Sequence, residues 1–275
     1  MNALMVIAGQ EVRAGLRNRW AAATTLILAA LALSLVLLGS APTGTVGASP
    51  VAVVVVSLAS LTIFLVPLLA LLLSFDAIVG EAERGTLLLL LAHPVARWQV
   101  VVGKFLGHGA TLAIATVAGY GAAGVLLAAT VPADAEAWRA YGGLIATSVM
   151  LGVAFVALGS LASIVVRERP TAAGLAVGLW LFFVLLYDSA LLGVLVLDQG
   201  TVLSGGVLDF LLLFNPADVY RLINLSGDGA AALLAGMSAP GDAGSLPVAV
   251  LYGALAGWIV LPLAAGVAVF NRRHP

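Results

Sequence analysis

The sequence contains no cysteine and few other residues that bind metals or carry out catalysis. Of its 275 residues three are histidine and four are methionine. Without cysteine the chain cannot form a disulfide, a thiolate nucleophile or a cysteine-ligated zinc site. The histidines, His93, His108 and His274, lie in different segments without carboxylate companions at ligand spacing. We therefore expect no directly bound metal or cofactor.

Charged residues are also scarce, at 9% of the chain. A soluble domain of this length has about 25% charged residues, whereas this chain is 62% hydrophobic and has a mean hydropathy of +1.15. An exterior of this composition is stable against the hydrocarbon of a bilayer and not against water. The composition therefore predicts an integral membrane protein, and the 31 glycines suit closely packed membrane helices.

Six segments are long and apolar enough to cross a bilayer as helices, which takes about 20 residues each. They are residues 20–39, 51–75, 105–131, 141–166, 171–197 and 247–270. The predicted fold is all-α, with one transmembrane domain over residues 1–275. The first segment resembles a signal peptide, but its basic leader and its apolar run are both too long, so we interpret it as a retained anchor.

The basic residues predict the orientation of the chain in the membrane. With the N-terminus in the cytoplasm, ten of the 12 Lys and Arg residues fall in inner segments, and only Arg139 and Arg221 fall outside. Both termini are then cytoplasmic. Residues 1–19 carry apolar side chains at helical spacing and basic ones on other faces, a pattern typical of an amphipathic helix in the inner membrane interface.

The inner loop 76–104 has charged residues at its start and an apolar run in its middle. We expect a short helix there, with its apolar face buried, ending before Pro94. The string from Glu81 through Leu87, followed by Leu90-Leu91-Ala92, Pro94, Arg97 and Gly103-Lys104, resembles the ABC-2 family of ABC transporter permeases. In that family this loop forms the coupling helix that docks on the ATPase subunit. The resemblance assigns ATPase coupling to Glu81, Glu83, Arg84, Gly85, Thr86, Pro94 and Arg97.

The resemblance implies a non-catalytic permease homodimer that works with two copies of a separate ATPase, which would bind ATP and Mg²⁺. The chain itself lacks a phosphate-binding loop, because its Gly103-Lys104 pair is followed by Phe105 and no glycine stands five positions earlier. We interpret Lys104 as an anchor at the inner end of the third span.

The outer segment 198–246 contains an apolar run, residues 207–214, that is too short to cross the membrane. Asn215 then provides a helix N-cap, Pro216 the first helical position and Asp218 an acid in the first turn, which predicts a second short helix. Together with Tyr220 and Arg221, these residues are candidates for a substrate gate or a seat for a periplasmic partner. The alternative is a plug that only covers the bundle.

Residues 213–222 and 94–99 resemble, more narrowly, the permeases that serve nitrous oxide reductase maturation in denitrifying bacteria. This resemblance implies the inner membrane, a periplasmic partner protein, a nearby copper-chaperone lipoprotein and a role in assembling the copper–sulfur cluster of the reductase. Because methionine is sparse, a path for bare copper(I), which prefers soft sulfur ligands, is disfavoured. A sulfur-containing species, or force passed to the partner, fits better.

One acidic residue, Asp188, lies within a predicted span, beside Tyr187. It is either a cavity-facing contact for a cation or substrate or a boundary residue bonded to a neighbouring hydroxyl. A secondary transporter or channel would need more intramembrane charge, and a membrane hydrolase would need a convergent catalytic group. The remaining alternative is an ABC-2 exporter of a drug, lipid or other small molecule.

Overall fold

The computed structural model describes residues 3–17, 19–39, 50–198, 205–225 and 246–272. Within these residues the chain is helical with short connections and contains no strand, which confirms the all-α prediction. The helices are α1 (Ala3–Arg17), α2 (Arg19–Gly39), α3 (Pro50–Ser74), α4 (Val79–Glu83), α5 (Thr86–Leu91), α6 (Arg97–Thr130), α7 (Ala135–Val165), α8 (Arg169–Leu181), α9 (Tyr187–Asp198), α10 (Gly205–Leu213), α11 (Pro216–Leu225) and α12 (Val248–Arg272). A π-helical turn, Phe182–Leu186, joins α8 to α9.

Five helical segments of the described chain are long and apolar enough to cross a membrane: Val51–Glu83, Arg97–Thr130, Ala135–Val165, Arg169–Leu197 and Val248–Arg272. The pair α1 and α2, bent by 64°, makes a sixth if it is counted as one span. These five or six segments support a multi-pass membrane protein. The prediction that α1 lies in the membrane interface and only α2 crosses stays a prediction.

Helix α7 occupies the centre of the bundle. Of its most apolar 18 residues 72% are buried, against 11% in Arg169–Leu197 and 17% in α12. It packs against α3, α6 and α12 around fully buried side chains such as Leu151 and Phe155. Gly152 on its inner face allows this close packing, because a Cβ there would press on Val66 and Leu112.

Helix α6 begins at Arg97, eight residues before the span predicted for residues 105–131. Its first turn is closed by Gln99, whose Oε1 accepts a 3.0 Å hydrogen bond from the Ala96 N–H. The loop between α3 and α6 is therefore shorter than the predicted loop 76–104 and holds two short helices, α4 and α5, instead of one. A second cluster of buried apolar side chains lies at this end of the bundle, including Ile7, Leu87, Ile164 and Phe270.

Candidate functional site

Helices α4 and α5 and the turns beside them hold the residues assigned to ATPase coupling, except Arg97, which begins α6. Ser163 of α7 caps α4, because its Oγ accepts hydrogen bonds from the N–H groups of Ile78 and Val79 at 2.9 and 3.0 Å. Between the two helices Gly85 has a φ of 72°, in the left-handed region that glycine adopts without a steric penalty. The glycine of the motif thus provides the bend that turns α5 away from α4.

Helix α5 has a buried face and an exposed face. Leu87 is 8% exposed, whereas Leu88 and Leu89 are 59% and 69% exposed. The buried apolar face that the sequence predicts contains Leu87, and the opposite face presents Leu88 and Leu89. Five predicted coupling residues are exposed in the same region: Glu83, Arg84, Gly85, Thr86 and Pro94. Exposed leucines within a polar surround are typical of a surface that a partner covers.

Three predicted coupling residues bind the helix bundle, and Glu83 and Arg97 are two of them. The Oε1 of Glu83 accepts a 2.7 Å hydrogen bond from the Arg169 N–H at the start of α8, where a negative charge is favourable. Arg97 donates to the carbonyl oxygens of Phe270 and Asn271 at 3.5 and 3.4 Å, at the end of α12. The loop that presents the exposed surface is therefore tied to helices on both sides.

Lys104 forms a buried ion triad with Glu11 and Glu81. Its side chain is 5% exposed, its Nζ donates to Glu81 Oε1 at 2.7 Å, and it also pairs with Glu11. The interpretation of Lys104 as a membrane anchor is wrong, because its ammonium is buried between two carboxylates. The triad joins α1, α4 and α6 at the floor of an open groove of about 440 Å³ between α1 and α5. No local pattern predicts it, since Glu11 and Lys104 are 93 positions apart.

Helix α1 packs along the same end of α6. A Cβ at Gly103 would lie 2.9 Å from Ile7 Cγ2, and one at Gly107 would lie 3.2 Å from the Ala8 carbonyl oxygen. Glycines one turn apart let the two backbones approach, as at the interfaces of membrane helices. Helix α1 is thus attached to α6 by close packing as well as by the ion triad.

At the other end of the bundle Arg221 lies between the carboxylates of Asp188 and Asp218, which are 30 positions apart in the sequence. It donates to Asp188 Oδ2 and to Asp218 Oδ1, both at 2.7 Å. Asp218 is 1% exposed, and this burial, together with the neighbouring Asp188 carboxylate, raises the pKa of Asp218 to about 8. Arg221 and Asn215 act in the opposite direction. Burial thus outweighs the neighbouring guanidinium in setting the pKa of Asp218.

Asn215 connects this cluster to the π-helical turn. Its Oδ1 accepts from the Ala217 N–H at 3.0 Å, which confirms the predicted N-cap, and its Nδ2 donates to Asp218 Oδ2 at 2.9 Å. The same Nδ2 donates to the carbonyl oxygen of Phe183 at 2.8 Å, inside the π turn. Tyr187 donates its hydroxyl to the Leu211 carbonyl oxygen at 2.7 Å. The π turn therefore holds the start of α11, and the first residue of α9 holds α10; π turns are frequent at functional sites.

Helix α11 is inserted among the spans. Asn215, Pro216, Asp218 and Tyr220 are all buried and Arg221 is half-buried. The Tyr220 hydroxyl shares a 3.0 Å hydrogen bond with Ser148 of α7, 13 residues into that helix. In this single chain the five predicted outer residues thus face the bundle, which favours the gate or plug interpretation over direct contact with a partner.

Neither end of the described chain brings together three residues of the metal-binding types His, Cys, Asp and Glu. His93 Nδ1 lies 3.0 Å from the Leu89 carbonyl oxygen, and His108 Nδ1 lies 2.8 Å from that of Lys104. Each imidazole thus has a backbone partner in its own segment. His274 lies outside the described residues, and the expectation of no bound metal stays a prediction.

Comparison with known proteins agrees with this architecture. The model of a family described as "ABC-2 family transporter protein" matches residues 5–274. The chain is 49% identical over 278 aligned residues to the probable ABC transporter permease protein NosY of Pseudomonas aeruginosa, covering 99% of both chains. It is 44% identical over 276 aligned residues to the protein of the same name from Stutzerimonas stutzeri, again covering 99% of both.

Proposed function

This chain belongs to the ABC-2 family of transporter proteins and is a NosY-like permease subunit, and we propose that it serves copper-site assembly of nitrous oxide reductase. ATP and Mg²⁺ bind to two copies of a partner ABC ATPase of the NosF type. The permease couples their hydrolysis either to export of a sulfur-containing species or to mechanical activation of a periplasmic NosD-like protein. A NosL-like copper-chaperone lipoprotein acts nearby.

The proposed assembly is a permease homodimer in the bacterial inner membrane, with both termini in the cytoplasm. Several apolar side chains on the peripheral helices are exposed in the single chain, among them Val196 and Leu197 of α9 and Val260 and Leu261 of α12. Lipid or a second copy of the chain is needed to cover them. The excess of basic residues at the end that carries α4 and α5 supports a cytoplasmic location for that end.

The proposal depends on one observation: the coupling region has an exposed face and is joined to the bundle by buried contacts. The exposed face of α5 presents Leu88 and Leu89, while Leu87 is buried on the bundle side. From α4 the connection continues through Glu81 to Lys104 in α6 and Glu11 in α1. A displacement of the exposed face by the ATPase would therefore reach a spanning helix through buried packing and ion pairs. These are discrete contacts and not a flexible linker.

At the opposite end α11 is the element on which such a movement would act. It is held to α9 by the ion pairs of Arg221 and to α7 by the Tyr220–Ser148 hydrogen bond. Movement of α7 against α9 would separate these partners and shift α11 between two positions. We assign the gate to α11 on this basis, and the periplasmic partner would respond to its displacement.

The proposal is tested by purifying the tagged permease from its native membrane, identifying the chains that copurify and assaying ATP hydrolysis. We expect an ATPase and a periplasmic protein in the complex. Leu89→Glu and Arg84→Ala alter the exposed face without removing a contact that Glu83 makes to α8, so both should weaken ATPase recovery. Arg139→Ala, an exposed arginine at the other end of α7, is the matched control.

Each outcome tests a different part of the proposal: the periplasmic partner, the docking surface or the coupling to an ATPase. An ATPase recovered without a periplasmic protein would favour an ABC-2 exporter of a drug, lipid or other small molecule. Equal ATPase recovery by wild type, Leu89→Glu and Arg84→Ala would show that the exposed face of α5 is not the docking surface. A complex without any ATPase, under conditions that preserve other ABC complexes, would contradict the coupling function itself.

A further inference from the structure

Helix α8, the π turn and α9 form one continuous segment, Arg169–Leu197, that packs loosely on the rest of the bundle. Of the five single helices long enough to cross a membrane, it is the least buried in the single chain, at 11% of its most apolar window. In α8 the buried side chains are Ala172 and Ala176, and none of the side chains described in α9, residues 187–197, is buried. Methyl groups make a shallow contact, so α8 can shift against its neighbours as helices do in shear movements.

The inner end of this segment is tied to the coupling region through Arg169. Its Nη2 donates to Asp76 Oδ2 at 2.6 Å, in the turn before α4, and its backbone N–H donates to Glu83 Oε1 at 2.7 Å, at the end of α4. The second oxygen of Asp76, Oδ1, is buried without a hydrogen bond, so the carboxylate depends on Arg169 for compensation of its charge. A displacement of α4 therefore reaches the start of α8 through charged hydrogen bonds.

Near its middle the segment is fixed to three other helices or their ends. Trp180 Nε1 donates to the carbonyl oxygen of Phe64 in α3 at 2.9 Å. Phe183, in the π turn, is buried and packs edge to face on Phe155 of α7 and Trp258 of α12, with ring centroids 6.1 and 5.2 Å apart. Because large rings hold this point whereas α8 contributes alanines, the π turn is the natural pivot of the segment.

Beyond the pivot the segment is tied to α11, since Asp188 Oδ2 accepts a 2.7 Å hydrogen bond from Arg221. At 1.5 Å per residue, Arg169 lies about 21 Å before Phe183 along the helix and Asp188 about 7.5 Å after it. A movement of about 2 Å at Arg169 would then move Asp188 by about 0.7 Å in the opposite direction. That movement is enough to stretch the bond to Arg221 beyond the roughly 3.2 Å limit of a good N–H···O hydrogen bond.

We propose that Arg169–Leu197 is a lever that transmits movement of the coupling helices to α11. Arg169 is its input, the π turn its pivot and Asp188 its output. Arg169 is a positioning residue, because it lies outside the exposed face of α5 and acts on α11 through Asp188. This inference rests on the proposed function, which assigns ATPase coupling to α4 and α5 and the gate to α11, and it adds the element that joins them.

The test is hydrogen–deuterium exchange, read by mass spectrometry, on the complex of the permease with its ATPase, without nucleotide and after trapping with ATP and vanadate. In wild type, trapping should speed exchange in α9 and α11, by about tenfold in α11, the effect of losing one charged hydrogen bond. Arg169→Ala leaves the exposed face of α5 intact, so the ATPase should still copurify, but the rise should disappear from both helices. Arg169→Lys keeps the cation and should keep the rise. Arg167→Ala, an exposed arginine two positions earlier, is the matched control and should behave as wild type.

A variant at the output end tests the order of transmission. Asp188→Ala cuts the tie to α11 and leaves the input intact, so the rise should remain in α9 and disappear from α11. A merely structural role of Arg169 gives a different result. The Arg169 and Asp76 side chains are 44% and 27% exposed, and such a pair changes an equilibrium by at most about fivefold, equally with and without nucleotide.

The outcomes distinguish the lever from the gate. If the rise in α11 persists in Arg169→Ala, or if Asp188→Ala leaves it unchanged, the lever is overturned and the gate assignment stands. If wild type yields no ATPase complex, or shows no rise in α11, the proposed function fails and the lever fails with it. Asp76→Asn removes the same ion pair while keeping the shape of the side chain, and it serves as the input variant if Arg169→Ala does not fold, with the same loss expected.

Discussion

Replacing Lys104 by methionine tests the buried ion triad that joins the coupling region to the bundle. Methionine keeps the length and most of the apolar stem of lysine but removes the ammonium. The carboxylates of Glu11 and Glu81 then lose their common partner, and Glu81 Oε2 is already buried without a hydrogen bond. Repulsion between the two acids should release α1 and α4 from α6.

The magnitude follows from the burial of the three groups. Removing one partner from a fully buried ion pair costs about 3–5 kcal/mol. The side chains of Glu11 and Glu81 are 22% and 24% exposed, and water screens part of the repulsion, so we take the lower end of that range. At 1.4 kcal/mol for each factor of ten, about 3 kcal/mol corresponds to an opening equilibrium about 150-fold more favourable.

Hydrogen–deuterium exchange read by mass spectrometry measures this opening directly. Peptides from α1 and α4 should exchange about 150-fold faster in Lys104→Met, while peptides from the centre of α7 stay protected. The triple variant Lys104→Met, Glu11→Gln, Glu81→Gln buries no unpaired charge and should recover most of the protection. Exchange that rises less than tenfold in the single variant, or that does not recover in the triple variant, would refute this account of the triad.

Three other residues give predictions of the same kind. Gly85→Ala places a Cβ at a φ of 72° and should lower the free energy of unfolding by about 1–2 kcal/mol, measured by thermal melting of the purified chain. Arg221→Met should lower the stability measured by thermal melting by about 3 kcal/mol, because Asp188 loses its ion-pair partner and Asp218 loses a hydrogen-bond donor. For Asp218 the folded pKa of about 8 exceeds the ordinary 3.8, so the folded state holds the proton more tightly, and stability should fall as pH rises from about 4 to about 8. Melting temperatures of wild type and Asp218→Asn across that range check this, since the slope should shrink in the variant; equal slopes would contradict it.

Much of the architecture was predictable because it depends on runs of residues along the chain. The spans appear as stretches of apolar residues, and the N-cap at Asn215 and the bend at Gly85 depend on neighbours within a few positions. The loop motif led to the ABC-2 family, which the family model and the NosY relatives confirm. Which residues of that loop transmit force stays a prediction.

Sequence reasoning does not predict the ion-pair partners of Lys104 and Asp188, because these partners lie on distant helices. The position of Lys104 in the sequence is typical of a membrane anchor, because a basic residue at the end of an apolar run normally reaches the headgroups. Its pairing with Glu11 could not be inferred, since the two are 93 positions apart and meet only because Gly103 and Gly107 let α1 approach α6. Asp188 likewise meets Arg221 across 33 positions.

The sequence by itself thus determined the class of protein, the approximate spans and the family, because hydrophobicity against a bilayer and helix-end chemistry are local properties. Tertiary structure alone decided that α11 is buried among the spans and that Glu81 faces inward while Arg84 faces outward. The physical reason is that burial and ion pairing depend on how helices pack, and helix packing is set by many weak contacts that no short segment contains.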